Sequence, residues 1–137
     1  MKTDKVYLVG FMGAGKSSIA RALARRLDWR AVERQVLMDQ IPTRHLVVAT
    51  GGGTFVDPQN RAVIARDGLS VWLDVPIDRL IARVPADGRR PLAADRAEFE
   101  RLYIARRAAY AHATYRVDAG HARIPAIVEE LVHWLEA

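Results

Sequence analysis

The sequence predicts an α/β protein, with a short parallel sheet covered on both faces by helices in a three-layer α/β/α arrangement. Three observations predict it. Short apolar runs alternate with stretches of helical spacing along the whole chain. The clearest runs are continuously apolar rather than alternating, as strands buried on both faces require. Two glycine clusters, at 10–15 and 51–53, directly follow two of those runs. That places both at the carboxyl edge of the sheet, where parallel α/β folds bind their ligands.

The elements follow in order. Val6-Tyr7-Leu8-Val9 is the first strand, ending in glycines. Residues 17–27 have helical spacing, with Ile19, Ala20, Leu23 and Leu27 on one side. Residues 31–41 read as a second helix, grouping Val32, Val36 and Leu37. Leu46 to Thr50 is a continuous apolar strand stopped by Gly51-Gly52-Gly53. Residues 60–66 read as a short helix. Val71-Trp72-Leu73 is a third strand closed by Asp74-Val75-Pro76. A helix over 77–83 precedes a polar segment, about 84–95, rich in Pro, Gly and Arg. A long helix over 96–112, a weaker strand over 115–118 and a final helix over 124–135 complete the chain. Four strands are visible, and 137 residues without linker or repeat fit one domain.

Composition excludes several chemistries. There is no cysteine, so disulfides, thiolate metal sites and cysteine nucleophiles are absent. His45, His112, His121 and His133 show no metal-ligand spacing. The net charge is +5, but the arginines are spread, with small clusters at Arg25-Arg26, Arg89-Arg90 and Arg106-Arg107. A nucleic-acid binder more often carries a basic stripe with aromatics. Small polyanionic ligands and a solvated, arginine-rich surface explain the excess equally well, and no nucleic acid and no membrane are expected as partners. No apolar run approaches the ~20 residues of a membrane span, and no signal-peptide pattern precedes the first strand. A cytoplasmic location is expected. Nothing in the sequence reads out oligomeric state; a monomer is the working expectation.

Gly10-Phe11-Met12-Gly13-Ala14-Gly15-Lys16-Ser17 satisfies G-x-x-x-x-G-K-[ST] at every fixed position, between a strand and a helix. Glycines let main-chain N–H groups converge on phosphate oxygens. The helix start adds unpaired N–H groups and the positive end of a dipole. Gly13, Ala14, Gly15, Lys16, Ser17 and Ser18 are the expected ATP-binding residues. Lys16 reaches the β- and γ-phosphates, and the Ser17 hydroxyl is the expected Mg²⁺ ligand. Ser18 belongs to the helix side of the loop and is not a metal ligand.

Beyond the loop, the chain resembles the shikimate kinases. Residues 10–19 are similar to that family's opening. Val47 to Gly53 resembles its strand ending in three glycines, continued by Asp57-Pro58-Gln59-Asn60-Arg61. Residues 71–76 resemble its next strand, and Arg90-Pro91-Leu92 its lid motif. Leu102, Arg106 and Tyr110 match a Leu-x3-Arg-x3-Tyr helix. The triplet separates this pattern from gluconate-type kinases, which share the loop and the Arg-Pro-Leu lid. The resemblance covers 4–27 and about 46–118. It implies a five-stranded P-loop kinase fold and ATP-dependent phosphorylation of the 3-hydroxyl of shikimate, in aromatic amino-acid biosynthesis. It implies shikimate-binding roles for Gly51, Gly52, Gly53 and Arg106. It also implies that Arg90 closes over the transferring phosphoryl group and that Arg83 packs on adenine. Lys16 and Arg90 are then the catalytic pair.

One departure is large. After the first helix the family has a strand ending in Asp-x-Asp, then a helical substrate segment ending in Phe-Arg. Here Leu27-Asp28-Trp29-Arg30 passes almost directly into Ala31-Val32-Glu33-Arg34-Gln35. The second strand and some thirty residues of substrate segment lack an evident counterpart. Trp29-Arg30-Ala31-Val32-Glu33 faintly echoes Phe-Arg-x-x-Glu, making Arg30 a candidate for the lost arginine. In the other alignment, Leu27 to Arg30 are the end of the first helix and its turn. The first missing aspartate holds Mg²⁺ through water and the second accepts the substrate's proton. Either the deletion is real or a mobile segment is omitted. Two alternatives to a shikimate kinase follow: a non-catalytic ATP- or ADP-binding remnant, or a P-loop kinase acting on another small hydroxy acid.

Overall fold

The computed structural model describes residues 1–34, 44–83 and 96–137. Five strands form one parallel sheet: β1 (Lys5–Val9), β2 (Arg30–Arg34), β3 (Leu46–Thr50), β4 (Leu69–Asp74) and β5 (Tyr115–Asp118). Their spatial order is β2-β3-β1-β4-β5. Every residue of β1 and β3 is buried, as their continuous apolar character requires. Among the described residues five helices cover the sheet: α1 (Lys16–Leu27), α2 (Pro58–Asp67), α3 (Ile77–Ala82), α4 (Arg96–Tyr110) and α5 (Ile124–Glu136). α1 packs on β2, β3 and α5, while α2 packs on β4.

The strand count corrects the sequence reading, which finds four. Residues 31–34, expected in a helix over 31–41, instead belong to β2. It pairs with β3 from Arg30 opposite Leu46 to Arg34 opposite Thr50. The Arg-Ala-Val-Glu-Arg run is built from helix-favouring residues. Its position on the sheet edge, bonded along one side only, is decided by β3 and not by local propensity. The rest of the expected helix lies outside the described residues. α1 ends at Leu27, and Asp28 takes a left-handed conformation (φ 59°), its N–H bonding back to Arg25 O. Leu27 is therefore the helix end and Asp28-Trp29 the turn, as in the second of the two alignments, except that Arg30 already begins β2. β2 runs unbroken through Arg30 and Ala31, so no residues are missing between those two.

β1 lies between β3 and β4. The chain leaves β1 for α1 on one face and leaves β3 for α2 on the other. The crevice at their carboxyl ends is thus a topological switch point. Both glycine clusters open into it.

The opposite end of the sheet holds a polar cluster. The Lys5 side chain is fully buried, with its ammonium 2.7 Å from Asp67. Tyr7 also donates to Asp67, and Arg44 bridges Asp67 and Asp4. Burial pushes the Asp67 carboxyl up, but hydrogen bonds from Lys5, Tyr7 and Arg44 prevail and hold it below the usual range. A carboxylate so depressed adds stability above its unfolded pKa and loses it as pH falls through the folded value. Asp67→Ala removes the buried carboxylate that Lys5, Tyr7 and Arg44 share, and should cost about 3–5 kcal/mol. Urea unfolding at pH 7 checks this; a loss below about 1 kcal/mol would contradict it.

Candidate active site at the carboxyl edge of the sheet

The loop after β1 takes its shape from three glycines. Gly10, Gly13 and Gly15 have φ of 154°, 84° and 97°, a region that side chains rarely tolerate. At Gly10 the constraint is doubled, because a Cβ there would stand 2.9 Å from the Leu73 carbonyl oxygen of β4. The turn then enters α1 with Gly15 as its cap and with no acidic side chain in the first turn. Its leading N–H groups thus face an anion site uncapped by side chains. A cavity of about 270 Å³ is lined by residues 13–18.

Lys16 folds back over this loop. Its ammonium donates to Gly10 O at 2.6 Å and to Phe11 O at 3.0 Å. Burial, and then the charge of Arg106, lower its pKa to about 8. A second cavity of about 270 Å³ adjoins the loop, walled by Arg83, Ala119, Ala122 and Ile127. Arg83, just past α3, donates to Gly13 O at 2.7 Å.

The glycine turn after β3 lies against α4. A Cβ at Gly52 would stand 3.3 Å from Arg106 Nη1 and 3.6 Å from Met12 N; one at Gly53 would stand 3.6 Å from Arg106 Nη2. Tyr110 donates to Gly52 O at 2.6 Å. Its phenol is pushed up to about 12, mainly by burial, so it stays a donor. The Arg106 guanidinium stacks 5.7 Å from the Phe11 ring centroid. Phe11 in turn meets the edges of Phe99 and Tyr103. One arginine thus faces both glycine clusters and electrostatically senses Lys16. Residues 10–18, 51–53 and 106, distant in sequence, converge on one crevice.

One expected site residue falls elsewhere, and another lies outside the described residues. Arg30 begins β2, opposite Leu46, with its N–H bonded to His45 O. It sits at the amino end of an edge strand, away from the crevice, and the substrate role is withdrawn. Arg90, with the lid over 84–95, lies outside the described residues. Arg83 is near the loop but apart from the glycine turn. Glu33 was passed over by the sequence reading. It lies one residue before the end of β2, opposite Ala49, at the carboxyl edge. Only the assignment of β2 as a strand could have marked it.

Among the described residues no group of three or more His, Asp or Glu could hold a metal ion. The glycine cradle and the buried lysine fit a nucleotide's phosphates. No helix among the described residues is long and apolar enough to cross a membrane.

A family model described as shikimate kinase matches residues 28–136. A shikimate kinase of Synechococcus elongatus is 34% identical over 144 positions, covering 82% of this chain and 75% of the relative. One from Persephonella marina is 29% identical over 157 positions, covering 93% and 96%. Those 157 positions exceed the 137 residues here, so that relative carries residues with no counterpart in this chain. Among solved structures, the Aquifex aeolicus shikimate kinase superposes with a TM-score of 0.85 at 23% identity, covering 96% of both chains. The Acinetobacter baumannii enzyme, in complex with shikimate, superposes at 0.84 and 22%, covering 98% and 93%. A Sinorhizobium meliloti gluconokinase reaches 0.65. At these identities the structures establish the α/β P-loop kinase fold.

Proposed function

This chain belongs to the shikimate kinase family, and from that premise we propose that it transfers the γ-phosphoryl group of ATP to the 3-hydroxyl of shikimate. The observation that carries the proposal is the Arg106 guanidinium against Gly52 and Gly53, beside the loop that holds Lys16. In this reading Arg106 pairs with the shikimate carboxylate through its planar fork. Main-chain N–H groups of residues 51–53 meet the ring hydroxyls. Gly13 to Ser18 hold the nucleotide phosphates, and Arg83 covers adenine over the cavity beside Ala119 and Ala122. The Ser17 hydroxyl would hold Mg²⁺, which when bound would neutralise charge on the phosphate oxygens. Phosphoryl transfer asks mainly for positioning and charge compensation. Lys16 supplies both, and Arg90 is assigned the lid arginine on the resemblance alone.

We assign Glu33-Arg34-Gln35 to the place of the family's Asp-x-Asp on their spacing in the sequence, and the position of Glu33 at the carboxyl edge of β2 supports it. Glu33 retains a carboxylate at the first position, and Gln35, outside the described residues, replaces the second with a group that cannot accept a proton. This favours the remnant reading as the one serious alternative, a nucleotide-binding protein with little turnover.

Arg106→Ala is the direct test. Loss of a charge-assisted pair of about 1.5–3 kcal/mol should raise the shikimate KM roughly 10- to 100-fold with little change in the ATP KM. A shikimate KM within twofold of the parent chain would overturn the assignment.

A further inference from the structure

Arg106 is aimed by a helix, and what fixes that helix about its own axis is a separate question. Phe99, Tyr103, Arg106 and Tyr110 form one stripe of α4, at spacings of four, three and four. Ring contacts and two hydrogen bonds, Tyr103 to Val75 O at 2.9 Å and Tyr110 to Gly52 O at 2.6 Å, hold that stripe. A rotation of about 20° would carry a side-chain tip at the helix surface by about 2 Å. Arg107, one residue further along α4, adds a charged constraint. Its guanidinium donates to both oxygens of Asp74, at 2.7 and 3.3 Å, and lies 4.8 Å over the Trp72 ring. The Asp74 side chain is only 6% exposed. A fork on a carboxylate fixes direction as well as distance. Asp74 is also the last residue of β4, directly after Leu73, whose carbonyl packs on Gly10 at the start of the phosphate loop. The end of β4 therefore serves as a common reference for loop and helix.

We propose that the Asp74–Arg107 ion pair is a positioning element that sets the rotation of α4 and so holds Arg106 at the glycine turn. The proposal rests on the reading of Arg106 as the carboxylate-binding arginine only for its kinetic consequence. Its geometric content is independent of substrate.

Arg107→Met removes the fork and keeps the aliphatic stem over Trp72. In a crystal structure of this variant the Arg106 guanidinium should leave Gly52 and Gly53. Misplacement on this scale can cost as much as 10² in rate; here the shikimate KM should rise roughly tenfold. The ATP KM and the unfolding midpoint should stay near parental values, and Arg107→Lys should recover part of the loss. Arg116→Met is the control. Arg116 bonds the same carboxylate at 2.7 Å from β5, not α4, so its loss should leave the shikimate KM near the parental value. The proposal is overturned if Arg106 keeps its place in Arg107→Met, or if both KM values and the midpoint shift together, as general loosening requires. If Arg106→Ala itself leaves the shikimate KM unmoved, the functional reading fails, and the crystal structure still decides the positioning claim.

Discussion

Replacing Lys16 with alanine drops kcat/KM for shikimate phosphorylation by roughly 10³, in line with the loss of a preorganised charge in a phosphoryl-transfer site. The fold should survive. Burial and the Arg106 charge disfavour the Lys16 ammonium and lower its pKa to about 8. Removing a charge the fold resists costs little, so the unfolding midpoint should remain within a few degrees. The sign of its pH dependence is fixed. The folded pKa lies below the unfolded one, so between about pH 8 and the ordinary lysine value the unfolded chain binds more protons. The parent chain therefore gains stability with pH across that window, and Lys16→Ala does not. ATP, which favours the ammonium, should bind the parent chain progressively less well above about pH 8. Turnover within tenfold of the parent would contradict the role given to Lys16.

Gln35→Asp should act in the opposite direction, raising kcat on shikimate by roughly 10². Glu33 stands at the carboxyl edge of β2, and in sequence Gln35 follows it at the family's Asp-x-Asp spacing, so Gln35 is proposed to take the place of the family's proton acceptor. An amide has no proton-accepting role at neutral pH, whereas a carboxylate there restores general-base help. The effect should appear in kcat and not in the ATP KM, and it should vanish in a Lys16→Ala background. Equal kcat values for Gln35→Asp and the parent would show that another group takes the proton or that residue 35 does not face the acceptor hydroxyl.

The phosphate loop, the glycine triplet and Arg106 were legible in the sequence because each is locally encoded. Gly10 to Ser17 satisfies a fixed spacing, and three consecutive glycines mark an approach of backbone to something else. The choice of Arg106 over its neighbour follows from its place four residues after Leu102 and four before Tyr110. β2 was not legible. Arg30 to Arg34 favours a helix locally, and only pairing with β3, across an intervening connection, makes it a strand. That misreading hid Glu33 and gave Arg30 a role its position denies. The work of Arg107 was equally out of reach, since Asp74 lies 33 residues earlier in the chain.

The most direct test of the account is the initial rate of ADP release from ATP and Mg²⁺, measured with and without shikimate. The account predicts a rate that climbs with shikimate concentration, saturates, and is lost in Lys16→Ala. Tight ATP binding with a rate that shikimate does not alter would contradict it and leave a nucleotide-binding member of the family that has lost its chemistry.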